Sequence, residues 1–360
     1  MERRDFIKTS GIFAAASFLN AIPTSAAFEG KKLGIALVGL GYYSTDVLAP
    51  ALLKTELCEL RGIVTGSPDK AKAWKEKYGL KDSNIYNYKN FDSIAKNPDI
   101  DVIYIVLPPS MHREYVVRGA NAGKHIWCEK PMAPTAADCQ AMIDACNKNK
   151  VKLAIGYRCQ HDPNLQKVME VAKNKPFGKP MMINSAAGYF DGRSDHWKQK
   201  KAMGGGVMPD MGVYALQGAL MAAGELPSSV LAQASTTRPA IYKEVEETMM
   251  FQLTFPSGTK AACQTSFGIN MNYLKVSYEK GGLIMEPQSG YGGNKGSMSD
   301  GTPINFDVPV QQKIQMDNDA RAIMENTPHI SPGELGLRDI KIVEAIYRSA
   351  KSGKVEKIMY

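Results

Sequence analysis

Three side chains in this sequence, Lys130, Asp210 and Tyr214, are of the types that move protons and hold a reacting oxygen. Lys130 follows Glu129 directly, at the end of a short apolar segment that we predict to be a strand. Parallel α/β sheets bind ligands at the carboxyl ends of their strands, so this lysine is a candidate for a cleft. Asp210 and Tyr214 are four residues apart, which places both on one face of a helix. A carboxylate and a phenol that face an ammonium can transfer protons; the alternatives are a solvated ion pair, and a capping acid beside a core aromatic.

A glycine-containing turn follows the first apolar segment of the mature chain. Residues 32–38 predict a strand and 47–54 a helix, and between them the chain reads Gly39, Leu40, Gly41, Tyr42, Tyr43 and Ser44. This order opens a dinucleotide-binding unit, in which glycines permit a tight turn and let the backbone approach a pyrophosphate at the helix N-terminus. Ser44 occupies the position of the third glycine. We therefore expect Gly39, Gly41, Tyr42 and Tyr43 to contact a cofactor.

Strands and helices alternate after this turn at the spacing of a βαβ fold. The predicted strands lie at 58–64, 100–107, from 125 and at 152–156, and the predicted helices at 69–78, 114–122 and 136–148. The pattern predicts a dinucleotide-binding Rossmann domain over 31–156.

The end of the second strand bears on the choice of dinucleotide. An acid at this point accepts hydrogen bonds from the adenosine ribose and favours NAD. Here the strand leads into Thr65, Gly66 and Ser67, and Ser67 and Lys70 could hold a 2′-phosphate. We expect NADP, with NAD left open because Asp69 lies close to the strand end.

The turn after the third strand supplies further cofactor candidates. Leu107 and Pro108 would form a wall beside a nicotinamide. His112 is a candidate for the same site, although a capping or packed histidine is an equal alternative.

The period of the pattern changes after residue 179. Strand-length segments at 180–187, 230–237, 248–255, 260–267 and 273–278 follow one another mainly through turns, which predicts an antiparallel sheet within 157–330. Asp210 and Tyr214 lie on a predicted helix that opens after three glycines at 204–206 and runs to 223. The segment 331–352 reads as an amphipathic helix that packs back on the first domain. The fold class is α/β: a Rossmann domain followed by an α+β domain with an open, mainly antiparallel sheet.

Composition excludes several classes of protein. The 360 residues are 44% hydrophobic and 22% charged, which suits two globular domains. The net charge of +8 comes from scattered lysines without recurring aromatic-basic motifs, so we expect no nucleic acid partner. The six cysteines show no metal-binding spacing, and we expect reduced core thiols and no metal.

The N-terminus carries a targeting pattern. Arg3 and Arg4 precede an apolar segment at 12–22 and the small residues Ser25, Ala26 and Ala27. This is typical of a twin-arginine signal peptide, here 1–27, and predicts export of the folded protein to the periplasm. A membrane anchor is the alternative, but the apolar segment is too short to span a bilayer comfortably, so we expect no membrane span.

Five motifs together resemble the glucose–fructose oxidoreductase family, in the wider group that includes inositol dehydrogenases and rhizopine-catabolism proteins. The resemblance covers 32–351 and is closest to the exported glucose–fructose oxidoreductase subgroup. The motifs are Gly39-Leu40-Gly41, Pro108-Pro109, Glu129-Lys130-Pro131, Gly156-Tyr157-Arg158 and Asp210 to Tyr214.

The resemblance implies a role for each matching residue. Lys130 would hydrogen-bond the reacting sugar oxygen and help to orient the nicotinamide, Tyr214 would be the acid/base, and Asp210 would orient the substrate or tune Tyr214. We expect the ammonium to lower the pKa of the phenol. Glu129 would hold Lys130. Glu129 and Arg158 are further cofactor-binding candidates, and Tyr157 and Trp197 are further substrate-binding candidates. The open sheet would form a dimer or tetramer.

Two departures limit what the resemblance transfers. Few residues separate Ala27 from the first strand, so the N-terminal arm that covers the cofactor in the exported relative has no counterpart. The substrate loop at 185–201 differs, so glucose is not transferred as the substrate. An exported enzyme has no renewable pool of NADP and must regenerate its cofactor in place.

We therefore expect a periplasmic oxidoreductase that moves hydride between tightly bound NADP(H) and a sugar or polyol; transfer between two sugars by a ping-pong mechanism is one form that this reaction could take. A redox-neutral epimerase or glycosidase and a non-catalytic sugar-binding module are the alternatives.

Overall fold

The computed structural model describes residues 30–308 and 310–360. The predicted signal peptide at 1–27 lies outside the described residues. No helix within the described ranges is long and apolar enough to cross a membrane. Lys31–Tyr360 form one compact unit.

The first half of this unit is built on a six-stranded sheet in which every strand pair is parallel. Its spatial order is 3-2-1-4-5-6, the order of a doubly wound dinucleotide-binding fold. The strands are β1 Leu33–Val38, β2 Cys58–Val64, β3 Ile85–Tyr86, β4 Val102–Ile105, β5 His125–Cys128 and β6 Leu153–Ile155. Runs of Val, Ile and Leu make these strands because both faces of the sheet are covered by helices.

Helices connect these strands, and two of them begin several residues earlier than predicted. A π-helical turn at Tyr43–Leu48 leads into α1 at Ala49–Leu52, whereas the sequence predicted a helix from 47. The third helix begins at Pro109 and not at 114, because proline is well suited to the first position of a helix. The other helices are α2 Pro68–Tyr78, α3 Pro109–Asn121 and α4 Ala136–Lys148.

The second half contains a nine-stranded sheet. Its spatial order is 14-13-12-11-7-10-9-8-15, and all pairs are antiparallel except that of strands 7 and 10. The strands are β7 Pro180–Gly188, β8 Ser229–Ser235, β9 Thr248–Thr254, β10 Lys260–Ser266, β11 Met271–Tyr278, β12 Gly281–Met285, β13 Gly296–Met298, β14 Pro303–Ile304 and β15 Glu356–Lys357.

Helices cover one face of this sheet and leave the other open. The helices of this half are α5 Pro163–Asn174, α6 Val213–Ala223, α7 Gln311–Met324 and α8 Gly333–Ser352. All eleven residues of α6 are buried. On the opposite face lie Met182, Leu231, Met250 and Ile284, whose exposed fractions are between 40% and 48%, and the strand register intersperses them with polar residues such as Lys275 and Gln252. The predicted class, a Rossmann domain with a mainly antiparallel second sheet, is confirmed.

Helices α7 and α8 join the two halves. The Asp317 carboxylate on α7 accepts hydrogen bonds from the backbone N–H groups of Glu56 and Leu57 at 2.9 and 3.0 Å. On α8, Glu344 accepts from the Ala136 N–H at 2.8 Å, and Ser349 accepts from the Ala232 N–H at 2.9 Å. The helix predicted at 331–352 is α8, and it contacts elements of both halves: the start of α4 and strand β8. All six cysteines are free and buried.

Candidate active site

A cleft of about 660 Å³ runs along the carboxyl ends of the parallel strands toward the N-terminus of α6. It contains most of the residues that the sequence singled out. Its lining includes Gly39 to Tyr43, Thr65 to Ser67, Lys70, Val106 to Pro109, Glu129 to Pro131, Arg193, His196 to Lys198, Asp210 and Tyr291.

The glycine turn after β1 has the geometry that its residues predict. Gly39 has φ +91°, and a Cβ there would lie 2.5 Å from the carbonyl oxygen of Val106, so only glycine fits. A Cβ on Gly41 would meet nothing within 4 Å, so this residue presents bare backbone to the cleft. Ser44, in the place of a third glycine, donates its hydroxyl to the Gly39 carbonyl at 2.6 Å. The side chain of Ser44 therefore stabilises the turn through this hydrogen bond.

The residues after β2, from Thr65 to Lys70, form a polar corner of the cleft, and no acidic side chain of this corner lines the cleft. β2 ends at Val64, and the Ser67 hydroxyl caps α2 by accepting from the Lys70 N–H at 3.4 Å. The Lys70 ammonium reaches across to the Leu40 carbonyl at 2.9 Å. Asp69 lies in the first turn of α2 and is exposed. Among the described residues, the carboxylates that line the cleft are Glu129 and Asp210, neither of which belongs to this corner.

His112 supports the cleft without lining it. Its side chain is fully buried, and its ring nitrogens lie 2.8 Å from the Leu107 carbonyl and 3.1 Å from the carbonyls of Pro131 and Met132. Burial lowers the pKa of His112 despite these hydrogen bonds. The residue was predicted to contact the cofactor; the structure places it where it ties the wall after β4 to the turn that carries Lys130.

Glu129 lies at the end of β5 with both carboxylate oxygens engaged. The Tyr104 hydroxyl donates to Oε1 at 2.7 Å, and the Lys130 backbone N–H donates to Oε2 at 3.2 Å. Burial raises the pKa of Glu129 to about 7, although Tyr104 and Lys130 oppose the shift. A Cβ on Gly156 would lie 2.6 Å from Oε1, so β6 passes close against this carboxyl.

Lys130 lies against both Asp210 and Tyr214, the two side chains that the sequence predicted to face it. Its Nζ donates to the backbone carbonyl of Asp210 at 2.8 Å and lies 3.5 Å from the Asp210 Oδ1. It also lies 4.8 Å from the centroid of the Tyr214 ring. A second lysine, Lys198, approaches the other carboxylate oxygen of Asp210 to 2.7 Å. Burial alone would raise the pKa of Asp210, but the ammonium groups of Lys198 and Lys130 lower it to about 2.

Tyr214 differs from its prediction in two respects: it is not among the residues that line the cleft, and its pKa is raised. It is 7% exposed and packs beneath the ammonium of Lys130 and the guanidinium of Arg158, whose Cζ is 5.1 Å from the ring centroid. Burial raises the pKa of the phenol, and this effect outweighs the lowering by Arg158. The expectation of a lowered pKa was wrong, because desolvation of the phenolate exceeds its attraction to the nearby cations.

The other three candidates are divided between the cleft and the core. Trp197 lines the cleft. Tyr157 is 1% exposed and belongs to the apolar core of the first half, so it does not reach the cleft wall. Arg158 is also buried; it donates to the carbonyls of Ser289 and Gly290 and stacks 4.4 Å from the centroid of Tyr291. The structure therefore places Arg158 behind the site.

Three cleft-region residues were not identified from the sequence. Lys198 and Tyr189 meet at Asp210, where the Tyr189 hydroxyl lies 3.3 Å from Oδ2. Tyr291 lines the cleft opposite Tyr43, with ring centroids 6.2 Å apart. All three lie in or beside irregular loops, where no periodicity marks them, although the substrate loop at 185–201 had been located.

Comparison with known proteins identifies this arrangement. Residues 33–157 match "Oxidoreductase family, NAD-binding Rossmann fold", and residues 165–284 match "GFO/IDH/MocA C-terminal domain". The chain belongs to the GFO/IDH/MocA oxidoreductase family. The resemblance drawn from the sequence is confirmed, and so is the predicted class of enzyme, because the relatives include a D-xylose 1-dehydrogenase [NADP(+)], an inositol 2-dehydrogenase and an aldose–aldose oxidoreductase.

Three relatives of this GFO/IDH/MocA protein illustrate the range of sequence identity and of named activities. The crystal structure of aldose–aldose oxidoreductase from Caulobacter crescentus, complexed with glycerol, is 37% identical, covers 91% of this chain and 100% of that chain, and has a TM-score of 0.87. D-xylose 1-dehydrogenase [NADP(+)] from Haloarcula marismortui is 25% identical over 88% of this chain and 91% of its own. A levoglucosan dehydrogenase with NADH and levoglucosan shares the fold at 19% identity, with coverage of 92% and 100% and a TM-score of 0.79.

Proposed function

We propose that this chain is a periplasmic oxidoreductase that transfers hydride between a tightly bound NADP(H) and a sugar or polyol, and passes it between two sugars by a ping-pong mechanism. One observation carries the proposal: a single cleft joins the glycine turn after β1 to Lys130 and Asp210, and the Lys130 Nζ lies 4.8 Å from the centroid of the Tyr214 ring. We also propose the division into a nucleotide domain at 31–156, a substrate domain at 157–330 and a C-terminal helix at 331–352.

The residues at the nucleotide end fit a dinucleotide. Gly41 offers bare backbone and open space where a pyrophosphate would approach, and Gly39 permits the turn behind it. Leu107 and Pro108 form an apolar wall that suits a nicotinamide ring. Ser67 and Lys70 at the end of β2 provide a hydroxyl and an ammonium, which suit a 2′-phosphate better than a free ribose diol. This favours NADP over NAD.

The cluster at the other end of the cleft has the donors that sugar oxidation needs. When bound, a nicotinamide supplies the hydride acceptor or donor. Lys130 would hydrogen-bond the reacting sugar oxygen, and the backbone carbonyl of Asp210 holds that ammonium in place through a hydrogen bond of 2.8 Å. Tyr214 would exchange the hydroxyl proton. A phenol with a raised pKa is protonated at neutral pH, the form that donates a proton when a sugar carbonyl is reduced.

The substrate class follows from the outer part of the cleft and from the relatives. Trp197 and His196 give that part of the wall aromatic surface, against which the apolar face of a sugar ring can pack. The relatives named above act on xylose and on aldoses. We therefore propose an aldose or a related polyol as substrate.

Export and assembly complete the proposal. The paired arginines at Arg3 and Arg4 support the twin-arginine route to the periplasm, where retention of the cofactor favours exchange of hydride between two sugars. The open face of the nine-stranded sheet supports a dimer or tetramer, because four large apolar side chains, Met182, Leu231, Met250 and Ile284, are exposed on it.

The decisive experiment examines what the purified protein carries. The protein is denatured, and the released small molecule is analysed by its absorbance and mass; we expect NADP or NADPH. Aldoses are then added to the native protein while absorbance of the reduced cofactor is followed. Lys130→Ala should abolish this signal. Released NAD would correct the cofactor, product formation without any redox change would indicate an epimerase or glycosidase, and sugar binding without chemistry would indicate a binding module.

A further inference from the structure

Lys198 occupies a position that the local backbone fixes. It lies in a short 3₁₀ turn, Trp197–Gln199, where the Gln199 side chain accepts from the His196 N–H at 3.0 Å. The Lys198 carbonyl accepts from the Gly206 N–H at 2.8 Å. A Cβ on Gly205 would lie 2.4 Å from that same carbonyl oxygen. The glycines after the turn therefore let the loop close tightly, and the lysine projects into the cleft from a constrained backbone.

Two lysines share one carboxylate at this point. The Lys198 Nζ lies 2.7 Å from the Asp210 Oδ2 and 3.2 Å from the Tyr189 hydroxyl, whereas the Lys130 Nζ lies 3.5 Å from Oδ1. The short contact of Lys130 is instead to the Asp210 backbone carbonyl, at 2.8 Å. Lys198 is thus the main ionic partner of the carboxylate, and the pair of ammonium groups exceeds the single negative charge by one.

This division of contacts matters for the proposed reaction. Oxidation of a CH–OH group sends a hydride from carbon to the nicotinamide and a proton from oxygen to a base, so negative charge develops on the oxygen. An ammonium has three N–H donors, and Lys130 uses one of them on a carbonyl. If Lys130 were the only cation beside Asp210, the carboxylate would draw it into a closed ion pair, because an unpaired buried charge is costly.

We propose that Lys198 is a positioning residue of hydride transfer: it balances the Asp210 carboxylate, so that the Lys130 ammonium stays free for the substrate oxygen. The inference rests on the proposed function of the same cleft. Lys198 acts through Asp210 and not through the substrate. The burial of the carboxylate and the low pKa of Asp210 agree with a carboxylate that is always charged and always paired.

The test compares Lys198→Met with Lys198→Arg and with a matched control. Lys200→Met is the control, since Lys200 lies two residues away, pairs with Asp195 at 2.9 Å and is exposed. With an aldose as substrate, we expect Lys198→Met to lower kcat on the order of 10²-fold, as for loss of one preorganised electrostatic group, with a much smaller change in KM. Lys198→Arg keeps the charge and should recover most of the rate. Lys200→Met should behave as the wild type.

The pH dependence separates positioning from a merely structural role. In the wild type the pKa of Asp210 is about 2, so its carboxylate is charged throughout the usual assay range. Lys198 is one of three groups, with Lys130 and Tyr189, that lower this pKa against the effect of burial, so the pKa should rise in Lys198→Met and its activity should be lost at low pH where the wild type is still active. A kcat within threefold of the Lys200→Met control, or an unchanged pH profile, would overturn the proposal.

A second measurement does not depend on turnover. Carbon-13 NMR of protein labelled at its aspartate carboxyl groups, with Asp210→Asn to assign the signal, reports the titration of Asp210 directly. We expect the titration to move upward in Lys198→Met and to stay low in Lys198→Arg. The same titration in all three proteins would refute the inference, even if no sugar is ever oxidised. If the wild type oxidises no sugar but the titration of Asp210 still moves upward in Lys198→Met, the result counts only against the proposed function.

Discussion

Glu129→Gln is the substitution for which the structure gives the clearest energetic expectation. The Glu129 carboxyl is buried at the end of β5, and its charge is opposed by no direct contact with an ammonium group within the described chain. Burial raises its pKa from 4.5 to about 7. The folded protein therefore binds a proton at this site more tightly than the unfolded chain does.

The size and sign of the effect follow from linkage. A carboxyl whose folded pKa is raised contributes stability that is fully present below its unfolded pKa and is lost as pH rises through the folded pKa. The difference between 4.5 and about 7 is about 2.5 pH units. At 1.36 kcal/mol per unit this corresponds to about 3 kcal/mol, lost between roughly pH 4.5 and pH 8. Glutamine does not titrate, so this loss should be missing from the variant.

The assay is urea unfolding of wild type and Glu129→Gln at pH 5 and pH 8, with equal cofactor content checked by absorbance. The quantity of interest is the change in the free energy of unfolding between the two pH values, wild type minus variant. Other groups, such as the buried His112, cancel in this difference because they are present in both proteins. Glu325→Gln, at an exposed position on the end of α7, serves as the control and should leave the pH dependence unchanged.

The reasoning fails if the wild type and Glu129→Gln lose the same stability between pH 5 and pH 8. It fails equally if the wild type gains stability relative to the variant as pH rises, because that sign would require a lowered pKa. A difference as large as that of Glu129→Gln in the Glu325→Gln control would show that the effect is not local.

Three further outcomes are expected. Lys70→Ala should weaken NADP binding about tenfold relative to NAD, because a charge-assisted hydrogen bond to the 2′-phosphate is lost. Fluorescence titration measures the dissociation constants of both cofactors, and an unchanged ratio of the two constants would contradict the NADP assignment. Gly156→Ala should lower the free energy of unfolding by about 1–3 kcal/mol in urea, since its Cβ would lie 2.6 Å from the Glu129 carboxyl; a neutral result would mean that β6 shifts freely. Leu231→Asp with Met250→Asp should reduce the sedimentation coefficient, because charge on an apolar contact face opposes association; an unchanged value would place the interface elsewhere.

The sequence was most informative where a regular pattern and a local rule coincided. Strand β2 and helix α4 were predicted with the observed ends, 58–64 and 136–148, because regular apolar patterns span both segments. The start of α3 was missed, since Pro108 and Pro109 were interpreted as a turn, yet proline also begins helices. Helix α7 was not predicted: its segment is mostly polar, and its burial comes from two layers that only the folded chain brings together.

The residues of the site, like the helices and strands, were predicted from the sequence only in part. Lys130, Asp210 and the glycine turn could be predicted, because each stands at a fixed offset from a strand or helix end. Lys198 could not be predicted, because the loop at 190–206 has no helix or strand periodicity that would show which way its side chains point. The raised pKa of Tyr214 depends on how completely the phenol is desolvated, and burial of this kind is a property of the packed interior and not of spacing along the chain.

The ends of the nine-stranded sheet bear on how copies of this protein can join. Its outermost strands, β14 and β15, are each two residues long. Such short strands offer few free backbone N–H and C=O groups, so a second chain gains little by extending the sheet sideways. Ladder growth from edge to edge, the route to fibres and to continuous intermolecular sheets, is therefore disfavoured at both borders. A contact through the face of the sheet, where Met182, Leu231, Met250 and Ile284 are exposed, would use neither border and so would not extend the hydrogen-bonded ladder.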